Sequence, residues 1–245
     1  MNTDPYRSSL DALVALGPMR VWSVLVTVFG DLAPNKPIAG PALTALMSEI
    51  GIKPEATRVA LHRLRGDGWI VSEKVGRHSR HALSVTARAD SEAARPQIYG
   101  APPTPDDISF VLLRAGAPIP DQTHLTKIAP RLYSVAQKNS VPDGALVLNA
   151  VHLPDWTAAE IETPALREAY TSLLRVLRSV ANQPLTFLEG PLQHAALRVL
   201  IVHSWRRLAL RHALLPRAAH SPDWPGHDAR EIVRDLLPRL GRPDP

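Results

Sequence analysis

Hydrophobic residues in the first third of the chain recur at the spacing of helix faces. The stripes within 21–29 and 43–50 place apolar side chains three, four and seven positions apart, which predicts two helices that each bury one face. A third helix is predicted over 54–66, because Pro54 suits the first helical position and Gly66 and Gly68 end the pattern.

A period of two then replaces the helical period. The runs "WIVSEKV" and "RHALSV" flank Gly76-Arg77-His78-Ser79, and this alternation predicts a β-hairpin. The order of two helices, a short turn, a third helix and a hairpin is typical of a winged helix-turn-helix. The second and third helices would form the turn unit, and the hairpin would form the wing.

The rest of the chain changes composition twice. The stretch "QIYGAPPTPDD" at 97–107 is rich in proline and glycine, which is typical of a linker. Beyond it, the apolar runs at 108–116 and 144–151 predict strands, and 124–137 is interpreted as a helix disturbed by a proline. From Thr163 onward, helical spacing predicts three helices, over about 164–180, 191–212 and 229–240.

These elements predict an α+β fold that is mainly helical, in four segments. They are a winged helix-turn-helix domain at 1–95, a linker at 96–107, a small α+β middle domain at 108–162 and a helical C-terminal domain at 163–245. No apolar run approaches the roughly 18–20 residues of a membrane-spanning helix. The first residues lack the pattern of a signal peptide, so we expect a cytoplasmic protein with no membrane partner.

Composition removes several kinds of chemistry. The 245 residues include no cysteine, which excludes a disulfide framework, a cysteine-based zinc site and a cysteine nucleophile. Neither a G-x-x-x-x-G-K-[ST] nor a G-x-G-x-x-G motif occurs. His220 and His227 match no usual spacing of metal ligands. We therefore expect no catalytic residues, no metal and no cofactor.

Positive charge is concentrated in the predicted third helix and hairpin. The segment 58–81 has six Lys and Arg residues against two acidic ones, which accounts for four of the five net positive charges of the chain. Long cationic side chains suit DNA phosphates, and arginine also suits guanine edges in the major groove. The predicted DNA-binding residues are Arg58, His62, Arg63, Arg65, Lys74, Arg77, Ser79 and Arg80. The alternative is a solvated basic face on a winged helix that binds protein or has no partner.

The segment 57–86 resembles the winged helix of the PaaX family of bacterial repressors. "VLVTVFGD" at 24–31 resembles the first-helix signature of that family, and "DWPG" at 223–226 resembles its C-terminal pattern. The matches to the family pattern in the first segment are Arg58, Arg63, Leu64, Asp67, Gly68, Trp69, Gly76 and Arg77.

The resemblance implies a homodimeric transcriptional repressor that binds double-stranded operator DNA. It also implies a ferredoxin-like, Cas2-like middle domain, which is truncated here. In the best-known members an aryl-CoA thioester releases the repressor, so the resemblance implies an effector of this type and control of an operon for aromatic or related acids. Val59 and His62 stand where the family has other residues, so we expect the operator sequence to differ.

Two groups near the C-terminus are candidates for the effector site. Trp205 and Arg206 offer an aromatic ring and a guanidinium that suit an acyl-CoA, and Asp223 and Trp224 belong to the "DWPG" stretch. The alternative is that the tryptophans are core residues and that "DWPG" forms a structural turn. A further alternative is an acyl-CoA-handling enzyme with a regulatory head.

Overall fold

The structure is a computed structural model that describes residues 4–118, 125–137, 139, 141–149, 154–212 and 214–243. It is a mixed α and β fold that is mainly helical, as the sequence predicted. The helices are α1 (Pro5–Val14), α2 (Val21–Leu32), α3 (Gly40–Glu49), α4 (Pro54–Gly66), α5 (Val85–Tyr99), α6 (Asp155–Ile161), α7 (Pro164–Ala181), α8 (Pro191–Ala209) and α9 (Pro225–Leu240).

The strands form two antiparallel sheets. The first has the order β1-β3-β2 and the second has the order β5-β6-β4-β7. The strands are β1 (Ile38–Ala39), β2 (Ile70–Val75), β3 (His78–Leu83), β4 (Ile108–Leu112), β5 (Thr126–Ala129), β6 (Leu132–Ala136) and β7 (Leu146–Leu148). No helix in the described residues is long and apolar enough to cross a membrane.

Helix α4 begins and ends where the sequence predicted. Pro54 occupies the first turn. A backbone N–H has no partner within the helix at this position, so proline loses no hydrogen bond there. At the other end Gly68 has a φ of 73°, and the Trp69 N–H donates to the Leu64 carbonyl at 2.8 Å. This is the six-to-one bond of a Schellman motif, which needs a left-handed residue and therefore favours glycine.

One continuous hydrophobic core joins the first and last parts of the chain. It includes buried side chains of α2, such as Leu25 and Phe29, together with those of α8, such as Leu197 and Ile201. Helix α8 is buried on nearly all sides, as expected of a helix that is hydrophobic all round. The segments 1–95 and 163–245 therefore pack against each other as neighbours in a single core.

Helix α5 extends into the predicted linker. Ser84 caps its first turn, because the side-chain oxygen accepts from the Ala87 N–H at 3.2 Å. The helix runs through Pro96 to Tyr99, so residues 96–99 of the predicted linker are helical. Contacts from α8 and α9, described below, hold this last turn.

The second sheet corrects the secondary structure predicted for 124–137. The described part of that segment is not a helix but the hairpin β5–β6, which pairs Thr126 with Ser134 and Lys127 with Tyr133. Strand β6 also pairs along its length with β4, and this long-range pairing supplies hydrogen bonds that local propensity does not reveal. The predicted strands at 108–116 and 144–151 are confirmed in part by β4 and β7, and residues 150–151 lie outside the described residues.

Candidate nucleic-acid interface

Helix α4 has one buried face and one exposed cationic face. Ala60 and Leu64 are 6 % and 2 % exposed and pack into the core, which fixes the orientation of the helix. The opposite face points to solvent and carries four of the predicted DNA-binding residues together with an apolar side chain. These residues are Arg58, Val59, His62, Arg63 and Arg65.

The hairpin formed by β2 and β3 carries the other four predicted residues, and all four are exposed. Ile70 is buried and defines the face toward the helices, and period-two alternation places Lys74 opposite Ser79 on that same side. Arg80 lies opposite Glu73 on the other side. The structure thus places the predicted wing residues on both faces and does not gather them on one.

Arg77 lies at the tip of this hairpin. Val75 pairs with His78, so Gly76 and Arg77 form a two-residue turn. Gly76 has a φ of 62°, which a glycine adopts without strain at the first position of such a turn. The tight turn places Arg77 beyond the ends of the two strands.

Most of these cations are not neutralised by the protein. Arg63 lies 3.5 Å from the Asp67 carboxylate, which is one helical turn away. In the described part of the chain, no carboxylate lies within ion-pair distance of the other five, which are Arg58, Arg65, Lys74, Arg77 and Arg80. Unpaired cations on a convex surface leave a positive potential that favours a polyanionic partner.

His81 lies on β3, where it pairs with Ser72 of β2 and Ile38 of β1, and it was not among the predicted site residues. Its Nδ1 lies 2.8 Å from the Ser72 hydroxyl across the strands. Burial lowers the pKa of His81, and the nearby positive charge of Arg65 lowers it further. A neutral ring is therefore favoured at this position of the sheet. The sequence already placed His81 in the segment of high positive charge. The spacing of apolar residues did not predict that its ring is half-buried.

The predicted effector residues Trp205 and Arg206 have structural partners. Trp205 is 1 % exposed, and its indole N–H donates to the Ile98 carbonyl at 2.8 Å. The guanidinium of Arg230 lies 4.9 Å from the centre of the Trp205 ring. Arg206 donates to the Ser23 hydroxyl at 3.1 Å, and burial lowers the pKa of its guanidinium.

Asp223 and Trp224 also have partners within the fold. Asp223 is exposed and forms an ion pair with Arg167 at 3.1 Å. Trp224 is buried and stacks on the His220 ring, with a centroid distance of 5.5 Å. Trp205 and Trp224 line a common cavity of about 20 Å³, which has room for about one water molecule. Effector binding by these residues stays a prediction.

Within the described ranges, no group of three or more His, Cys, Asp or Glu side chains is arranged to hold a metal ion. His220 and His227 lie close together, with ring centres 5.3 Å apart. The His220 Nδ1 lies 3.1 Å from the Glu162 carboxylate.

An exposed cationic helix beside a cationic hairpin is the arrangement expected of a DNA-binding regulator. Two family models match the chain: "PaaX-like protein" over residues 20–87 and "PaaX-like protein C-terminal domain" over residues 162–243. Together they cover more than half of the chain, which therefore belongs to the PaaX family. This is a family of transcriptional repressors and not of enzymes.

Two known proteins resemble the chain over most of its length. The transcriptional repressor PaaX of Escherichia coli K12 is 23 % identical over 261 residues, which cover 91 % of this chain and 81 % of the relative. The structure of the uncharacterized protein Rv0674 from Mycobacterium tuberculosis superposes with a TM-score of 0.53 at 17 % identity. That match covers 89 % of this chain and 94 % of the other, and it shows a shared fold.

Proposed function

We propose that the protein is a DNA-binding transcriptional repressor whose residues 1–95 form a winged helix-turn-helix. The observation that carries this proposal is the set of five unpaired cations shared between α4 and the hairpin. Helices α3 and α4 would be the turn unit, and β2 with β3 would be the wing. The three-stranded order β1-β3-β2 supports this assignment.

In the proposed complex α4 lies in the major groove. Arg58 and His62 are exposed one helical turn apart and would approach base edges, where arginine pairs well with guanine. Arg63 and Arg65 flank them and would contact phosphates. Arg77 at the hairpin tip would meet the adjacent backbone or minor groove.

Lys74, Ser79 and Arg80 would complete the wing contacts with the DNA backbone. Because Lys74 and Ser79 face the helices and Arg80 faces away, one strand of phosphates cannot meet all three at once. We therefore propose that Lys74 and Ser79 contact the same DNA strand as α4. Arg80 would contribute mainly long-range attraction.

We propose that the functional unit is a homodimer on an inverted repeat. Two copies of α4 would lie about 34–36 Å apart, or a multiple of that distance, to read two half-sites. Strand β7 supports a contact between copies, because it ends the described sheet and exposes Leu146, Val147 and Leu148 by 40–56 %. An exposed apolar edge strand is a surface that a second chain can cover.

The middle sheet is proposed to be a reduced ferredoxin-like domain of the Cas2-like type. If β4 to β7 are numbered one to four within this sheet, their spatial order is two, three, one, four. All neighbouring strands are antiparallel. A ferredoxin-like β-α-β-β-α-β unit also joins its second and third strands by a hairpin. In the described residues between β4 and β7 the connections contain no helix, which agrees with the truncation expected from the sequence.

The proposed regulation is release from DNA by an acyl-CoA-type effector, in the cytoplasm, at an operon for an aromatic or related acid. A ligand can shift the equilibrium only if it binds the DNA-free conformation more tightly than the DNA-bound one. The shared core supports such coupling, because α2 of the proposed DNA-binding head packs directly on α8.

Electrophoretic and fluorescence-anisotropy binding to the DNA upstream of the gene would test the proposal. A specific complex should form, and its log–log salt dependence should have a slope of about −0.9 per phosphate neutralised. Loss of the complex with one member of a panel of CoA thioesters would identify the effector. Absence of any complex at low salt would contradict the proposal.

One observation favours a second candidate, a winged helix that binds protein. Val71 and Val75 are 56 % and 48 % exposed on the outer face of the hairpin. A protein partner that covers these side chains would bind with little salt dependence, whereas operator DNA would show a steep dependence. The same anisotropy titration therefore separates the two candidates.

A further inference from the structure

The last turn of α5 is held by side chains from the surrounding helices. Trp205 donates to the Ile98 carbonyl, and Arg230 donates to the carbonyls of Gln97 and Gly100 at 3.0 and 3.1 Å. The Tyr99 hydroxyl donates to the Asp31 carboxylate at 2.9 Å. This turn therefore connects the hairpin side of the molecule, through α5, to both α2 and the C-terminal helices.

A cleft of about 340 Å³ opens beside this turn, between the last turns of α5 and α9 and Arg198 in the interior of α8. Its size is at the lower end of the roughly 300–1,000 Å³ typical of small-molecule sites. Ile98, Val233 and Leu237 provide apolar walls. Three arginines complete the lining, and none of its described residues is acidic.

The three arginines are not equally available. Arg198 is buried and already donates to the Asp31 carboxylate and to the carbonyls of Leu237 and Gly241. Arg234 is exposed, and within the described chain no carboxylate lies within ion-pair distance of it. Arg242 is 43 % exposed, and its Nε lies 4.0 Å from the Asp31 carboxylate, which is a long distance for an ion pair. Arg234 therefore has no acidic partner among the described residues, and Arg242 has only this long contact, which a bound anion would replace.

A larger cleft lies on the other side of α5 but has the opposite chemistry. It measures about 530 Å³, and its charged lining residues are Asp106 and Asp107. An anion would be repelled there, whereas the arginine-lined cleft would attract it. The charge of the lining, and not the volume, distinguishes the two clefts as sites for an acidic ligand.

We propose that the arginine-lined cleft binds a small organic anion with an apolar body, such as an aromatic or aliphatic carboxylate. Arg234 and Arg242 hold the anionic group by charge-assisted hydrogen bonds, and Ile98, Val233 and Leu237 contact the apolar body.

Binding at this site would act on α2 through Asp31. An anion that draws Arg242 toward itself moves that guanidinium away from the Asp31 carboxylate, and Tyr99 and Arg198 share the same carboxylate. Since α2 packs on α4, the ligand has a physical route to the proposed DNA-binding helix. This regulatory consequence rests on the proposed function, whereas the binding itself does not.

Isothermal titration of the full chain without DNA tests the site directly. The probes are hexanoate, benzoate and phenylacetate, with neutral phenylacetamide, acetate and inorganic phosphate as comparison ligands. We expect at least one of the three apolar acids to bind and its affinity to fall about tenfold in Arg234→Ala and in Arg242→Ala. Arg175→Ala, which removes an exposed arginine of α7, should leave the affinity unchanged.

Three results would overturn the site. They are absence of binding by all three apolar acids at millimolar concentration, equal binding of phenylacetamide and phenylacetate, and full affinity in both arginine variants. Circular dichroism establishes that each variant is folded, and Arg234→Lys should retain part of the affinity because it keeps the charge. DNA binding by the same variants without ligand is measured separately, so a failure of DNA binding is distinguishable from a failure of the cleft.

Discussion

Arg198 on α8 forms a two-point ion pair with Asp31 on α2, with N–O distances of 2.6 and 2.9 Å. Both side chains are buried, and the same guanidinium also caps the end of α9 through the carbonyls of Leu237 and Gly241. One side chain thus ties together three elements that are far apart in sequence.

Removing one partner of this pair should destabilise the whole fold. In Arg198→Met the Asp31 carboxylate stays buried without its main partner, so the free energy of unfolding should fall by about 3–5 kcal/mol. Urea denaturation followed by circular dichroism measures the change. The matched control is Arg217→Ala, which breaks the exposed pair with Glu231 and should cost less than about 1 kcal/mol. Equal losses in the two variants would contradict the interpretation.

Substitution of the exposed arginines should weaken DNA binding without affecting stability. Arg58→Ala is expected to cost about 1–3 kcal/mol of binding free energy if Arg58 contacts a base. Arg77→Ala should make the slope of log affinity against log salt concentration shallower by the contribution of about one phosphate. Fluorescence anisotropy at several salt concentrations gives both values. Arg175→Ala serves as the control, and unchanged operator affinity in both variants would refute the proposed contacts.

Val59 should contribute to the choice of operator sequence. Its side chain is 69 % exposed between Arg58 and His62 on the cationic face of α4, and an apolar side chain there suits a thymine methyl group. Replacing the contacted thymine with uracil should weaken binding about fourfold, as expected from roughly 0.8 kcal/mol for one buried methyl. In Val59→Ala the same replacement should have little effect. Equal sensitivity of both proteins would exclude this contact.

Stability should fall as the pH drops from about 6.5 toward 4, partly through His203. Burial, and then the charges of Arg206 and Arg207, lower the pKa of His203 to about 4. The unfolded chain therefore binds the proton first, and the folded state loses stability as the pH falls through this window, by up to about 1.4 kcal/mol per pH unit. Urea denaturation at several pH values measures the slope.

His203→Gln should reduce that slope, whatever its effect on stability at neutral pH. His78→Gln is the control, because the His78 ring is exposed on the hairpin. If the slope of the His203→Gln variant equals that of the natural protein, His203 is not the group that titrates.

Gly226 in the "DWPG" stretch should not tolerate a side chain. A Cβ at this position would overlap the Trp224 indole and lie 2.9 Å from its Cε2 atom, so Gly226→Ala should destabilise the fold by about 1–3 kcal/mol. Gly66 has open space around it, and Gly66→Ala should be neutral or stabilising by about 0.5–1 kcal/mol. Thermal denaturation of the two variants tests the contrast, and a neutral Gly226→Ala would contradict the packing account.

The sequence by itself determined the local elements and much of the candidate interface. Helix α4 spans the predicted 54–66 because its start and end depend on residues within it and next to it, namely Pro54 and Gly68. The eight predicted DNA-binding residues are all exposed. For the four on α4, the hydrophobic pattern already specified which face of the helix is buried. Their role in DNA binding stays a prediction.

Only the tertiary structure decided the features that depend on distant partners. The described part of 124–137 forms strands and not a helix because β6 pairs with β4, whose residues lie 20 to 28 positions away along the chain. Trp205 is a core residue because the Ile98 carbonyl and Arg230 meet it there. The arginine-lined cleft exists because the last turns of α5 and α9 meet beside Arg198 of α8. A sequence pattern reports which side chains share a face, but which faces meet depends on long-range packing and hydrogen bonding.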